Sequence, residues 1–176
     1  MASATLGDVS STPNSATTDF EFQVGSWIVH HRRLEAPLTG GDTWSEFERP
    51  ATAQTLMNGA VSVDEITLED GETGMSFRLR DPVSGAWTIY WVNSADGRLQ
   101  PPVTGSWRAG VFEGVGDDSY GGRQIVARYR WSGISDTTAR WEQAFSIDHG
   151  TTWETNWVMS WRRDHPWNQG ADVVVD

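Results

Sequence analysis

The chain of 176 residues has no cysteine, and the 13 residues counted as lysine or arginine are all arginine. Without a thiol there is no thiolate nucleophile, disulfide, zinc–thiolate centre or thiolate-ligated haem. Without lysine there is no Schiff base and no phosphate-loop ammonium. No apolar run approaches the ~20 residues of a membrane-spanning helix. Residues 1–18 have neither a basic start nor an apolar stretch, so no secretory signal is expected and a cytoplasmic location is. Basic charge is scarce too: 24 acidic residues leave a net charge of −11, which disfavours nucleic acid and anionic membrane surfaces as partners. The chemistry left is that of carboxylate, imidazole, guanidinium, phenol and hydroxyl groups.

Tryptophan is what the chain has in plenty. The 11 indoles stand at positions 27, 44, 87, 91, 107, 131, 141, 153, 157, 161 and 167, spread over the whole length. Each buries a large flat surface and keeps one N–H that wants an acceptor, so such a chain can wall a cavity with rings.

Three segments are expected. Residues 1–18, rich in Ser, Thr, Ala and Pro, read as a disordered tail, and 164–176 as an acidic tail ending Val173-Val174-Val175. Between them, 19–163 read as one domain. Runs rich in Val, Ile, Thr and aromatics fall at 27–34, 43–49, 61–68, 75–80, 87–93, 103–108, 111–115, 124–131, 139–146 and 153–162, separated by Gly, Asp, Asn and Pro clusters. About ten short strands with no long helical pattern predict an all-β fold, a single antiparallel barrel with little helix. In 75–80, Met75, Phe77 and Leu79 share one face and Ser76, Arg78 and Arg80 the other. Trp153, Trp157 and Trp161 suit a helix face as well as a strand face, and their Thr, Trp and Val neighbours favour strand. Residues 50–60 are the best place for a short helix.

Gly25-Ser26-Trp27 opens the first strand, and Trp161-Arg162-Arg163 closes the last. This pairing resembles the signature of lipocalins and fatty-acid-binding proteins, the calycin superfamily. There the tryptophan points inward near the closed end and an arginine from the last strand packs on it. The resemblance implies structural roles for Trp27 and Arg162. A longer set of pieces spans about 19–163: Asp19-Phe20-Glu21-Phe22, His31-Arg32-Arg33-Leu34, Asp81-Pro82 before Trp87-Thr88-Ile89-Tyr90-Trp91, Pro101-Pro102-Val103, and Trp141-Glu142-Gln143-Ala144-Phe145-Ser146 before Trp153-Glu154-Thr155-Asn156-Trp157. It is similar to the DUF1579-type, lipocalin-like bacterial proteins, and implies a barrel with a cavity but no particular reaction. Separately, residues 146–153 fit the S-x-D-x-G-x-x-W box of sialidase hairpins, which predicts a tight turn before the last strand and no catalytic role.

If Trp27 faces inward, alternation sends Val29, His31 and Arg33 inward and Ile28, His30 and Arg32 outward. An inward His31 beside Arg33 has its pKa lowered and can serve as a neutral base, with Arg33 steadying the resulting anion and Glu142 as a further acid–base group. The bland alternative is an interior His31–carboxylate pair with Glu65, Glu142 or Glu154. Asp64 and Glu65 also fall inside a strand, and an inward carboxylate should meet an arginine such as Arg78, Arg128, Arg130 or Arg140. Trp87, Trp91, Tyr129, Trp141 and Trp157 are the candidate ligand-contacting rings. No metal site and no cofactor are expected: His30 and His31 point to opposite faces, His149 lies in a turn and His165 in the tail. An axial haem histidine, His31 or His149, is the one remaining option. Three functions follow. The first is a barrel binding a small apolar, aromatic or polycyclic molecule. The second is a cofactor-free isomerase, cyclase, dehydratase or decarboxylase acting on that molecule. The third is an assembly module, with a filled barrel, exposed tryptophans and a homodimer as one outcome.

Overall fold

The computed structural model describes residues 19–164, so the tail 1–18 and all but the first residue of the acidic tail lie outside it. Ten antiparallel strands follow a 3-10 turn at Glu21–Gln23: β1 (Gly25–Leu34), β2 (Trp44–Leu56), β3 (Val61–Thr67), β4 (Thr73–Arg80), β5 (Trp87–Asn93), β6 (Val103–Arg108), β7 (Val111–Tyr120), β8 (Arg123–Ser132), β9 (Thr138–Ser146) and β10 (Glu154–Arg163). Each pairs with the next, and β10 closes on β1, making the barrel expected from the strand pattern. Among the described residues every strand has a neighbour on both sides, most briefly between β5 and β6, which share three residue pairs. No helix among the described residues is long and apolar enough to cross a membrane.

Register carries the inward parity of Trp27 around the wall. Trp27 pairs with Ala51 on one side and Arg163 on the other, and Val29, His31 and Arg33 follow it inward. Trp27, Val29 and His31 are fully buried, while Arg33 reaches the rim. The small side chains of Ala51 and Ala53 leave room beside Trp27, and both pair into β3. That ladder overrides the helical reading of residues 50–60: they are strand to Leu56, followed by a turn at 57–60. β7 runs on to Tyr120 for the same reason, since Gly116 to Tyr120 pair one by one with β8 despite their turn-like composition.

Two faces differ from the simple alternation. β10 carries a bulge between Thr155 and Trp157, where Asn156 has no partner in the β9 register. One extra residue flips parity. Trp157 and Trp161 therefore face inward while Trp153 lies outside, under the Arg128 guanidinium at 4.4 Å. In β4 it is the polar face that is buried: Arg78 is 2 % exposed, whereas Met75 and Leu79 are 40 % and 38 % exposed. With Leu56 and Met57 they leave apolar side chains on the outer wall of β2–β4.

One end is plugged. Phe20, Phe22 and Gln23 enter the barrel there, and Phe20 packs edge-on against Trp87 and Trp107. The latch on this plug is Arg163. Its guanidinium lies 4.0 Å from the Trp27 ring centroid and donates to the carbonyls of Phe22 (2.7 Å) and Val24. Trp27 Nε1 donates to the Gln23 carbonyl at 2.7 Å. The residue on the first-strand indole is thus Arg163 and not Arg162, because parity turns Arg162 outward and exposes it. At β6–β7 the wall needs glycine: a Cβ on Gly105 would overlap the Glu113 carbonyl and Gly114 Cα.

The box at 146–153 is a turn, as expected. Asp148 accepts from Thr152 N–H and Oγ1 and from Ser146 Oγ, and these bonds hold its carboxyl down at about 2.

Candidate functional site

Above the plug, the barrel axis is polar before it becomes aromatic. Asp64 accepts hydrogen bonds from Gln23 Nε2 (2.7 Å), from the Ser76 backbone N–H (3.1 Å) and from Arg78 Nη2. Asp64 and Arg78 are 4 % and 2 % exposed, so this is a buried ion pair. The Arg78 guanidinium lies 4.9 Å from the Phe20 ring centroid and 5.9 Å from that of Trp131, which shields it from water. The expectation that an inward carboxylate meets an arginine holds for Asp64 and Arg78, which meet on the diagonal between β3 and β4, Asp64 being opposite Ser76 and Arg78 opposite Ser62.

An unfilled space of about 40 Å³ sits on this pair. Its walls are Trp91, Tyr129, Trp141 and Trp157, with Ile66, Ile89, Trp131 and Met159 below and Gln143 above. A water needs roughly 10–15 Å³, so the space has the size of about three waters and is too small for a bicyclic guest. Trp157 meets Trp91 and Trp141 edge to face, at 6.0 and 5.5 Å between centroids. Gly74 is the reason Trp91 fits: a Cβ there would overlap its benzo ring. Tyr129 is desolvated and near the charge of Asp118, which keep its phenol protonated well above the ordinary range.

A second, wider space of about 410 Å³ opens at the unplugged end, lined by Arg33, Glu35, Glu69, Tyr120, Phe145 and Asn156 among others. Gln143 and Trp157 line both spaces, and so form the partition between them. Trp157 is held from two sides. Its Nε1 donates to His31 Nδ1 at 3.2 Å, and the Arg33 guanidinium lies 4.6 Å from its ring centroid. The imidazole itself stacks on Phe47, with centroids 4.5 Å apart and planes 11° from parallel.

Of the candidate ligand-contacting rings, Trp91, Tyr129, Trp141 and Trp157 converge on the inner space. Trp87 does not. Four residues nearer the plug than Trp91 on β5, it packs on Phe20 and donates its Nε1 hydrogen bond to Asp19 at 2.9 Å. Of the candidate acid–base groups, His31 and Arg33 stand on either side of Trp157, and Glu142 is elsewhere. Its neighbours Trp141 and Gln143 face inward, so Glu142 faces out, paired with Arg140 (2.9 Å) and Arg130 (3.3 Å). Partial burial pushes its carboxyl up, but the two arginines outweigh this and hold it below the usual range. The partner of His31 is an indole N–H, and no carboxylate lies within ion-pair distance of it among the described residues. Sequence reasoning missed Ser76, Asn156 and Met159 as wall residues. Asn156 in particular is aimed by the bulge, which no composition signal announces. No group of three or more potential metal ligands occurs among the described residues.

Burial, then the charges of Arg33, His30 and Arg49, push the His31 pKa down from 6.5 to about 3. The imidazole is therefore neutral near pH 7, a weak base whose Nδ1 lone pair is committed to Trp157. The sign of the linkage is fixed: between 6.5 and about 3 the unfolded chain takes up a proton that the folded chain refuses. Stability is full above that window and falls as pH drops through it, by ~1.4 kcal/mol per pH unit. Urea unfolding at pH 7 and pH 5 should show the native protein losing about 2 kcal/mol more than a His31→Gln variant does. Equal losses would mean that the imidazole is not sealed in.

Compared with known proteins, the chain matches no family model and no protein of curated function.

Proposed function

We propose that the barrel binds one small, planar, largely apolar molecule, aromatic or polycyclic, between the rings of its interior. The observation that carries this reading is the convergence of Trp91, Tyr129, Trp141 and Trp157 on a space they do not fill, above a polar floor. A barrel built only for stability would close that space, because an unfilled core forfeits dispersion contacts. Stacking on ring faces supplies affinity without demanding one substituent pattern. A guest larger than three waters enters when Trp157 swings into the wider outer space, which merges the two.

The acid–base alternative draws less support. His31 stands behind Trp157 and Phe47, is a weak base, and has no carboxylate to orient it. Kinship with the DUF1579-type calycin barrels and a carrier role in the cytoplasm are part of the same proposal. The kinship is supported by a closed antiparallel barrel whose inward first-strand indole lies under an arginine of the last strand.

Calorimetric titration with 2-naphthalenemethanol, a neutral planar probe, tests the binding reading. One-to-one binding with a negative heat-capacity change is expected, since apolar surface leaves water. No heat at several temperatures, together with no rise in melting temperature at the probe's solubility limit, would refute it.

A further inference from the structure

We infer that the outer space at the mouth is a subsite for a carboxylate, so that the natural guest is an aromatic or polycyclic monocarboxylic acid lying ring-inward. This rests on the binding reading above and adds its polar end. Two donors without acceptors meet there. The Arg33 guanidinium has no carboxylate within 4.0 Å and no hydrogen-bond acceptor among the described residues; its one close partner is the face of Trp157. Asn156 is 3 % exposed, accepts with its Oδ1 from Gln143 Nε2 at 2.8 Å, and leaves Nδ2 with no partner. A buried amide N–H without an acceptor is costly, and the β10 bulge that places it disrupts a ladder to do so.

The two donors flank Trp157, the residue whose movement admits a guest. When the indole swings away, Arg33 loses its ring and Asn156 stays behind, so an acceptor arriving with the guest replaces what the movement costs. A carboxylate suits both: two coplanar oxygens match the edge of a guanidinium and can take the amide N–H as well. The other groups at the mouth limit the charge. Glu35 and Glu69 line the same space, and Glu154 is engaged with the Leu38 N–H at 2.6 Å. Glu35 and Glu69 offset the charge of Arg33, so the anion is held by direct bonds to the guanidinium and the amide N–H rather than by the field of the mouth, which restricts it to a single charge and repels a phosphate dianion. Arg49 is not a competing anchor, since it donates to the carbonyls of Glu48 and Glu69 at 2.8 and 2.9 Å.

The test is calorimetry with three probes sharing one ring system: 2-naphthoate, 2-naphthalenemethanol and 2-naphthylmethylammonium. The native protein is expected to bind the carboxylate at least tenfold more tightly than the alcohol and to bind the ammonium most weakly. Arg33→Gln should reduce the carboxylate-to-alcohol preference to within twofold of one, and Arg33→Lys should restore part of it. Added salt should erode the preference, since the subsite is open to solvent. Equal affinity for carboxylate and alcohol, a preference for the ammonium, or a preference undiminished in Arg33→Gln would overturn the subsite while leaving ring binding intact. Failure of all three probes would overturn the ring-binding reading, and the subsite with it.

Discussion

Asp64→Ala is expected to cost ~3–5 kcal/mol of folding stability, because it strands a guanidinium that is 2 % exposed in the middle of the barrel. The penalty is the cost of the orphaned charge rather than the worth of the pair. Removing both charges should therefore hurt less. Asp64→Leu with Arg78→Met is expected to recover at least half of the loss, although Gln23 Nε2 and the Ser76 N–H still lose their acceptor. Urea unfolding with an unchanged denaturant slope is the measurement. A single variant as stable as the native protein would show that water reaches Arg78, and the floor of the cavity would then be wet and open.

Trp157→Ala should be nearly as damaging, ~3–5 kcal/mol, and its loss should be reversible by a small molecule. The substitution removes the partition between the two spaces, leaves His31 Nδ1 without its donor and deprives Arg33 of the ring beneath it. Free indole has the shape and the N–H to replace all three. It should raise the melting temperature of Trp157→Ala by clearly more than it raises the native protein's, by the mass-action rule for a ligand that binds the folded state and binds the vacated indole site more tightly. Naphthalene fills the same volume but cannot donate to His31, so it should stabilise the variant less. Equal stabilisation by indole and naphthalene would remove the hydrogen bond from the account.

How much of this was visible in the sequence depends on what each feature rests on. Strand number and antiparallel closure were legible, because Val, Thr and aromatic runs between Gly and Asp turns need little tertiary help to be recognised. Once the calycin resemblance had set Trp27 inward, parity put Val29, His31 and Arg33 inward with it, and alternation grouped the rings of β5, β8 and β9 on single faces. Parity fails where the chain inserts a residue. The bulge at Asn156 put Trp153 outside and Trp157 inside, although their spacing is even. It fails as well where burial is not set by hydropathy. β4 turns Ser76 inward, buries Arg78 and exposes Met75 and Leu79, because Asp64 on β3 supplies the charge partner. The latch fell to Arg163 rather than Arg162 on a one-residue register that motif reading does not resolve. Trp87 and Glu142 were misplaced for different reasons. Depth along β5 separates Trp87 from the cavity, and the outward face of β9 separates Glu142 from everything inside.

The claim that matters most is that a planar guest sits among the interior rings. Methionine methyl groups report on it, since Met159 lines the inner space while Met57 and Met75 lie exposed on the outer wall. In a protein carrying ¹³C-methyl methionine, saturating 2-naphthalenemethanol should shift the Met159 methyl by ring current and leave Met57 and Met75 in place. Shifts at Met57 or Met75 with Met159 unmoved would put the guest on the outside of the barrel and contradict the account.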